Sequence, residues 1–281
     1  MLAVMQLRDL EIIYMTSERA SRRTFFGISA LLFAASAAVT IAWCASMSSM
    51  GDMPMPGGWT MSMAWMRMPG ETWTSAAASF LLMWIVMMVA MMLPSLIPML
   101  WRYRQALAGI DTTRLGLLTA LVGVSYFFVW TAFGMVAFPL GVALAEIEMR
   151  QPALARAVPI AVCVVVLIAG ALQFTAWTAR QLACCREAPC SGRWSGSTLS
   201  ADSGTAWRYG LRLGLHCSYC CAGLTAILLV IGVMDLRAMA VVTAAITAER
   251  LAPAGERVAR AIGGVVIAAA LFWIARAAAL A

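Results

Sequence analysis

The sequence AAASFLLMWIVMMVAMMLPSLIPML, residues 76–100, decides the fold class of this chain. It contains no charged side chain, and it exceeds the about 20 apolar residues that a helix needs to cross a lipid bilayer. Comparable apolar stretches lie near 25–47, 115–139, 157–179, 211–233 and 259–280, and a shorter one lies near 237–252. The sequence therefore predicts an all-α, polytopic transmembrane helix bundle of about seven spans. Six spans are the alternative, because the stretch at 237–252 is short.

The composition agrees with a membrane protein and argues against other classes. Hydrophobic residues make up 63% of the 281 residues and charged residues 12%, whereas a soluble domain has about 25% charged residues. The net charge is +7, but the basic residues, all arginines, flank apolar stretches and form no single basic face. We therefore expect the lipid bilayer, and no nucleic acid, as the partner of these arginines.

The arginines also predict how the chain is oriented. Of the 20 basic residues, fifteen fall in segments that the predicted spans put on the same side of the membrane as the N-terminus. The five on the opposite side are Arg67, Arg150, Arg156, Arg237 and Arg276. Because cytoplasmic segments are enriched in basic residues, the N-terminus is predicted to lie inside. We expect a multi-pass protein of the bacterial inner (cytoplasmic) membrane.

This orientation divides the chain into an N-terminal segment and one membrane domain. Residues 1–24 are predicted to be a cytoplasmic segment, and residues 25–281 the transmembrane helical domain. Within that domain, residues 48–74 form a methionine-rich outer loop and residues 181–209 a cysteine-containing inner loop. Both loops are poor in aliphatic residues, so we expect them to be weakly ordered on their own.

Five methionines occupy ten residues of the second predicted span. Met83, Met87 and Met91 are four residues apart and form one row on a helix, and Met88 and Met92 form a second row beside it. Thioether sulfur is a soft donor that suits Cu(I). Methionine also fills irregular gaps between packed helices, so both a ligand role and a packing role remain open.

A second sulfur group lies in the fifth predicted span. His216, Cys217, Cys220 and Cys221 fall within an arc of about 140° at 100° per residue, so one helical face offers thiols and an imidazole. Cys185 comes just after the fourth span, at the membrane face where the fifth begins, and Glu249, at the end of the sixth, is predicted at the same depth as the cysteines. The cysteines could instead be small apolar residues, and Glu249 could extend into the headgroup region. Zinc would suit a Cys–His set but would leave the methionines unexplained.

The outer loop adds further thioethers, at Met47, Met50, Met53, Met55, Met61, Met63, Met66 and Met68. Thioethers bind Cu(I) without having to lose a proton, so this loop is interpreted as a capture segment for metal outside the membrane. A methionine-biased linker without metal is the alternative.

These motifs resemble a family of metal-binding integral membrane proteins catalogued as DUF2182. The similar elements, between about residues 75 and 260, are Met83 to Pro94, Gln173-Phe174-Thr175, Cys185-Arg186, Gly214 to Cys221, Val233 to Leu236 and Glu249-Arg250. The resemblance implies a multi-span inner-membrane protein that binds metal, and some members are linked with copper supply to tyrosinase- or laccase-type oxidases. The chain departs from the family pattern at Leu213, Gln181 and Ala222, where the family has histidine, cysteine and an aromatic residue.

The leading hypothesis is a copper-binding protein, a Cu(I) chaperone or transporter that uses Met, Cys and His ligands within the bundle. Its recipient would be a copper-dependent oxidase or a soluble metal carrier. The alternative is a membrane thiol–disulfide oxidoreductase that uses Cys217 and Cys220 at a helix N-terminus. A scaffold whose sulfur only packs is a third reading. The sequence has no G-x-S-x-G, P-loop or H-E-x-x-H motif, which favours a binding protein over an enzyme.

Overall fold

The computed structural model describes residues 2–49, 51, 53–56, 58–67, 70–107, 109–186 and 201–280, without the side chains of 2–17, 48–49, 63 and 277–280. Eight α-helices make up almost all of it. They are α1 (Leu2–Ser49), α2 (Trp73–Ala106), α3 (Thr112–Arg150), α4 (Pro152–Leu172), α5 (Ala176–Arg186), α6 (Ser203–Ile231), α7 (Leu236–Leu251) and α8 (Gly255–Leu280). The predicted fold class, an all-α bundle of apolar helices, is confirmed.

Among the described residues, six helices are long and apolar enough to cross a membrane, which agrees with the alternative span count. They contain residues Glu18–Met47, Trp73–Ala106, Thr112–Arg150, Pro152–Leu172, Ser203–Ile231 and Gly255–Arg276. The remaining predicted span is α7, whose 16 residues extend only about 24 Å against the about 30 Å of a bilayer core. The prediction of seven full spans therefore exceeds by one the number of described helices that are long enough to cross, because α7 is too short.

Although short, α7 runs beside α2 in the same direction. Met234, just before α7, contacts Cys44 near the end of α1, and Arg250, near its C-terminus, donates to Ser95 on α2. Helices α1 and α2 are antiparallel, because Arg104 bonds Ser21 and Trp101, earlier in α2, contacts Phe25, later in α1. The short helix thus carries Arg250 deep into the bundle rather than leaving it at the surface.

Parts of both predicted loops form helix or strand among the described residues. Residues 181–186 belong to α5, and α6 begins at Ser203 because the Asp202 side chain accepts hydrogen bonds from the first-turn N–H groups of Gly204 and Thr205. The rest of the inner loop, 187–200 with Cys190, lies outside the described residues.

In the outer loop, strands β1 (Met53–Met55) and β2 (Trp59–Met61) form an antiparallel hairpin, followed by a 3-10 turn at Met63–Trp65. Met55 and Met61 are buried with Ala145 and Ala155, and the Trp59 indole donates to the Ala155 carbonyl over 2.8 Å. The hairpin therefore packs onto the ends of α3 and α4. Met50 and Met68 lie outside the described residues.

Glycines set the distance between α3 and α6. A Cβ atom at Gly210 would overlap the Ser125 hydroxyl and the Val122 carbonyl, and one at Gly214 would come 3.0 Å from the Tyr126 carbonyl. Small residues four apart allow two helix backbones to approach closely. Because Cys217 follows on the same face, this approach brings its sulfur up to α3.

Candidate metal centre

Three thiols of α6 lie close enough together to share one ion. Cys217, Cys220 and Cys221 have their sulfur atoms within 4.8 Å of one another, and all three side chains are buried. Cys220 Sγ lies 3.6 Å from Cys221 Sγ, which lies 3.9 Å from Cys217 Sγ. Metal–sulfur bonds of about 2.3 Å around one ion place sulfur atoms about 3.8–4.0 Å apart. The separations therefore fit a shared metal ion, and they are far longer than the about 2.05 Å of a disulfide.

A fourth thiol comes from α5. Cys185 Sγ lies 3.7 Å from Cys220 Sγ, and its side chain is fully buried. The neighbouring Cys184 is exposed, so only one of the two adjacent cysteines reaches the cluster. We refer to Cys185, Cys217, Cys220 and Cys221 as the thiol cluster. Cys185 borders the three α6 thiols through Cys220 but does not belong to the group whose sulfur atoms all lie within 4.8 Å of one another. That Cys185 shares an ion with them stays a prediction.

The predicted methionine rows of α2 lie in the same buried core as the thiol cluster. Met83, Met87, Met88, Met91 and Met92 are all at most 7% exposed, and they belong to one cluster of buried side chains together with the four cysteines. Pro94 and Pro98 leave α2 as one helix. The main packing partners of α2 are α1, α3 and α7, and those of α6 are α3, α4 and α5. The two sulfur-bearing helices thus share a core in which α3 and α7 also take part.

Arg250 provides a direct polar connection between α2 and α6. Its Nη1 lies 2.8 Å from Ser95 Oγ, 3.2 Å from Cys217 Sγ and 3.5 Å from the Tyr126 hydroxyl. The Tyr126 hydroxyl also donates to Cys217 Sγ over 2.9 Å. Cys217 Sγ therefore accepts from one cationic donor, Arg250, and from one neutral donor, Tyr126.

Sequence reasoning did not single out Arg250, Tyr126 or Ser95 as site residues. Arg250 was counted only as a topology signal and as part of a family motif. A usable signal was present, because polar side chains within apolar helices face the bundle interior and mark functional sites.

His216 was predicted as a ligand with the cysteines, but the structure separates it from them. Among the described His, Cys, Asp and Glu side chains, the group close enough to share an ion contains cysteines only. The His216 ring lies instead with its Nδ1 2.7 Å from Gln181 Oε1 on α5. His216 lies at one edge of the arc that the four side chains span on α6, and its imidazole faces α5. Leu213, where the resembling family has histidine, is buried.

Glu249 was also predicted as a ligand and has a different partner. Its carboxylate accepts a hydrogen bond from Gln173 Nε2 over 2.9 Å, and it is 2% exposed. It does not belong to the group of thiols that could hold an ion. The Glu249 side chain is thus buried rather than extended toward the headgroups, and it pairs α7 with the end of α4.

The basis for a thiol–disulfide enzyme is weakened by the position of the cysteines. Because α6 begins at Ser203, Cys217 and Cys220 lie well inside the helix and not at its N-terminus. Cys220 Sγ points to the Cys217 carbonyl oxygen at 3.3 Å. The helix dipole therefore gives these thiols no N-terminal activation.

A second sulfur contact lies at the other end of the core. Cys44 Sγ on α1 is 3.9 Å from Met234 Sδ, and Cys44 is 2% exposed. Phe25 stacks on Trp101 in the antiparallel α1–α2 pair, so Cys44 lies level with the part of α2 that begins the methionine rows, near Met83. Soft donors therefore occur at both ends of these rows.

A bundle of apolar helices whose core contains buried thiols and packed methionines offers the soft donors that suit Cu(I). A family model, PpoB2, described as copper chaperone, matches residues 81–273, which run from within α2 to within α8 and include every ligand predicted inside the bundle. The chain belongs to this family of copper chaperones, and the copper-related expectation is confirmed. No curated protein and no solved structure matches the chain.

Proposed function

We propose that this protein holds Cu(I) at the thiol cluster inside a membrane and passes it on as a chaperone. The observation that carries the proposal is the separation of the buried sulfurs of Cys217, Cys220 and Cys221, all within 4.8 Å of one another. Thiolates prefer Cu(I) among the common biological ions, and two or three of them complete its coordination. The family described as copper chaperone supports the choice of copper.

Zinc is a weaker candidate for this cluster. Structural zinc sites use four Cys or His ligands in a closed tetrahedron, whereas three thiols, Cys217, Cys220 and Cys221, form the group within 4.8 Å among the described residues. The one histidine lies against Gln181 instead of the thiols, and the five buried methionines of α2 would have no role. Cu(I) accounts for both sulfur types in one core.

The two sulfur ends of the core define a route for the ion. We place the metal entrance at the Cys44–Met234 contact, because the methionine-bearing hairpin lies at the same end of the bundle. The thioethers of Met83, Met87 and Met91 then lead toward the level of Ser95, where Arg250 contacts Cys217. The Cys44–Met234 contact is level with residue 82 of α2, which lies about 20 Å along the helix axis from residue 95, so the proposed route is about that long. Stepwise exchange between soft ligands needs no hydrolysis of a nucleotide.

The orientation and destination belong to the same proposal. An inner-membrane bundle with its N-terminus in the cytoplasm places the entrance outside and the thiol cluster in the inner half. The recipient would be a copper-dependent oxidase or a soluble metal carrier. Labelling of Cys184 and of a cysteine introduced into the hairpin in intact cells tests the orientation, since only the hairpin cysteine should react with an impermeant reagent.

Anaerobic Cu(I) titration of the purified protein against a competing chelator tests the proposed function. We expect tight, stoichiometric binding that disappears when Cys217, Cys220 and Cys221 are changed together to Ser. The matched control changes Cys163 and Cys184 to Ser, because neither belongs to the thiol cluster. Full Cu(I) affinity in the triple variant would refute the assignment.

A further inference from the structure

Arg250 is a buried cation without a carboxylate partner among the described residues. It is 2% exposed, and the ion pairs in the described part of the chain are Arg150–Glu146 and Arg260–Glu256. The adjacent Glu249 is hydrogen-bonded to Gln173 instead. The groups hydrogen-bonded to Arg250 are the hydroxyls of Ser95 and Tyr126 and the sulfur of Cys217. Of these three groups, the thiol ionises most readily, so Cys217 is the one that can supply a full negative charge.

The guanidinium is also incompletely hydrogen-bonded. Its Nε and Nη2 have no partner among the described residues, so only Nη1 is engaged. A buried charge with unpaired donors is unfavourable unless an opposite charge lies close by. The site is therefore built for a state in which the thiol cluster carries more negative charge than neutral thiols provide.

We propose that Arg250 determines the charge of the ion that the thiol cluster accepts, selecting a monovalent soft cation over a divalent one. This inference rests on the proposed function. Two coordinating thiolates, one monovalent ion and the Arg250 guanidinium sum to zero, with the other thiols of the cluster protonated. A divalent ion beside the same guanidinium reaches zero charge only if a third thiol also ionises, which burial disfavours. In a buried site this difference is large, because little solvent screens it. Arg250 is thus a specificity-determining residue that acts through Cys217 and does not bind the metal.

The test compares Arg250→Met with Arg250→Lys. Dissociation constants for Cu(I), or for Ag(I) as its redox-inert substitute, and for Cd(II) are measured under anaerobic conditions, together with the melting temperature of the metal-free protein. For Arg250→Met we expect Cu(I) binding to weaken by about tenfold or more, because two thiolates and a monovalent ion are then left with one uncompensated negative charge in the buried site. Cd(II) binding should be unchanged or tighter, so the ratio of Cu(I) to Cd(II) affinity should fall. Arg250→Lys keeps the charge and should keep the preference for Cu(I).

The chain offers a matched control in Arg104. It too is buried without a carboxylate partner among the described residues, with its guanidinium bonded to Ser21 and Thr119, stacked on Phe25 and with an unpaired Nε. It contacts no cysteine in these bonds, so Arg104→Met should leave the ratio of Cu(I) to Cd(II) affinity unchanged. Equal loss of both metals in Arg250→Met, with a lower melting temperature, would reduce Arg250 to a structural role and overturn the inference.

The melting temperature of the metal-free protein gives a further readout. In Arg250→Met it is expected to stay the same or rise, whereas Cu(I) affinity is expected to fall. Removing a poorly compensated buried charge should leave the melting temperature of Arg250→Met at or above that of the unchanged protein. Arg250→Gln removes the charge while retaining donors near Ser95 and carries the same expectation for metal preference, so a folding failure of the Met variant leaves the test in place. If the unchanged protein binds no Cu(I), the proposed function itself fails. If it binds Cu(I) and the neutral variants keep the preference, only the role of Arg250 fails.

Discussion

Arg250 Nη1 lies 3.2 Å from Cys217 Sγ, and the same nitrogen lies 2.8 Å from Ser95 Oγ. One guanidinium thus joins the cysteine-bearing helix α6 to the methionine-bearing helix α2. The contact makes the position of α7, the shortest of the last three helices, part of the geometry of the metal centre.

The hydroxyl of Tyr126 should contribute to metal affinity through Cys217. Tyr126→Phe removes a buried donor 2.9 Å from Cys217 Sγ, and a hydrogen bond to a charged group contributes about 1.5–3 kcal/mol. We expect Cu(I) affinity to fall about tenfold or more, measured by chelator competition. Tyr103→Phe is the control, because the Tyr103 hydroxyl is buried with no partner among the described residues and its removal should leave affinity intact.

The close approach of α3 and α6 should be sensitive to a single methyl group at Gly210. Gly210→Ala would place that methyl group against Ser125 and Val122, and overpacking of this kind costs about 1–3 kcal/mol. We expect a lower melting temperature and weaker Cu(I) binding, since Cys217 moves away from Tyr126. Gly210 lies on α6, and the control position, Gly123, lies on α3. An added methyl group at Gly123 meets nothing within 4 Å, so Gly123→Ala should be neutral or stabilising. Similar behaviour of the two variants would contradict this account of the helix interface.

The adjacent cysteines of α5 should behave differently. Cys185→Ser removes the thiol 3.7 Å from Cys220 Sγ, and we expect Cu(I) affinity to fall about tenfold or more, as for loss of other groups that support a metal site. Cys184→Ser removes an exposed thiol and should change nothing. Cu(I) titrations of both variants check this, and an unaffected Cys185 variant would limit the site to α6.

His216 should be dispensable for metal binding. Its ring is engaged with Gln181 and lies outside the thiol cluster, so His216→Ala is expected to keep the Cu(I) stoichiometry and affinity. A small loss of stability, about 1 kcal/mol for the hydrogen bond, should be the main effect. X-ray absorption of the Cu(I)-loaded protein gives an independent check, since a nitrogen neighbour of copper would restore His216 as a ligand.

The sequence predicted the helical class and most of the thiol cluster because both depend on local patterns. Apolar length identifies a span, and the spacing of Cys217, Cys220 and Cys221 places them near one another on any helix. Cys185 could be predicted only from its position at the end of a neighbouring helix. The partners of His216 and Glu249 could not be predicted, because a hydrogen bond to Gln181 or Gln173 depends on how helices rotate against one another. Arg250 was missed for the same reason: an arginine at the end of a short apolar stretch reads as a topology signal until α7 is seen to enter the core.

The four thiols are shielded from solvent, with exposures of 4% or less. In the proposed function, an ion held by these thiols would be closed off from an acceptor that contacts only the outer surface of the bundle. Its transfer would therefore require a movement that exposes the thiols, and α5, which carries Cys185, is the shortest helix that contributes one of them.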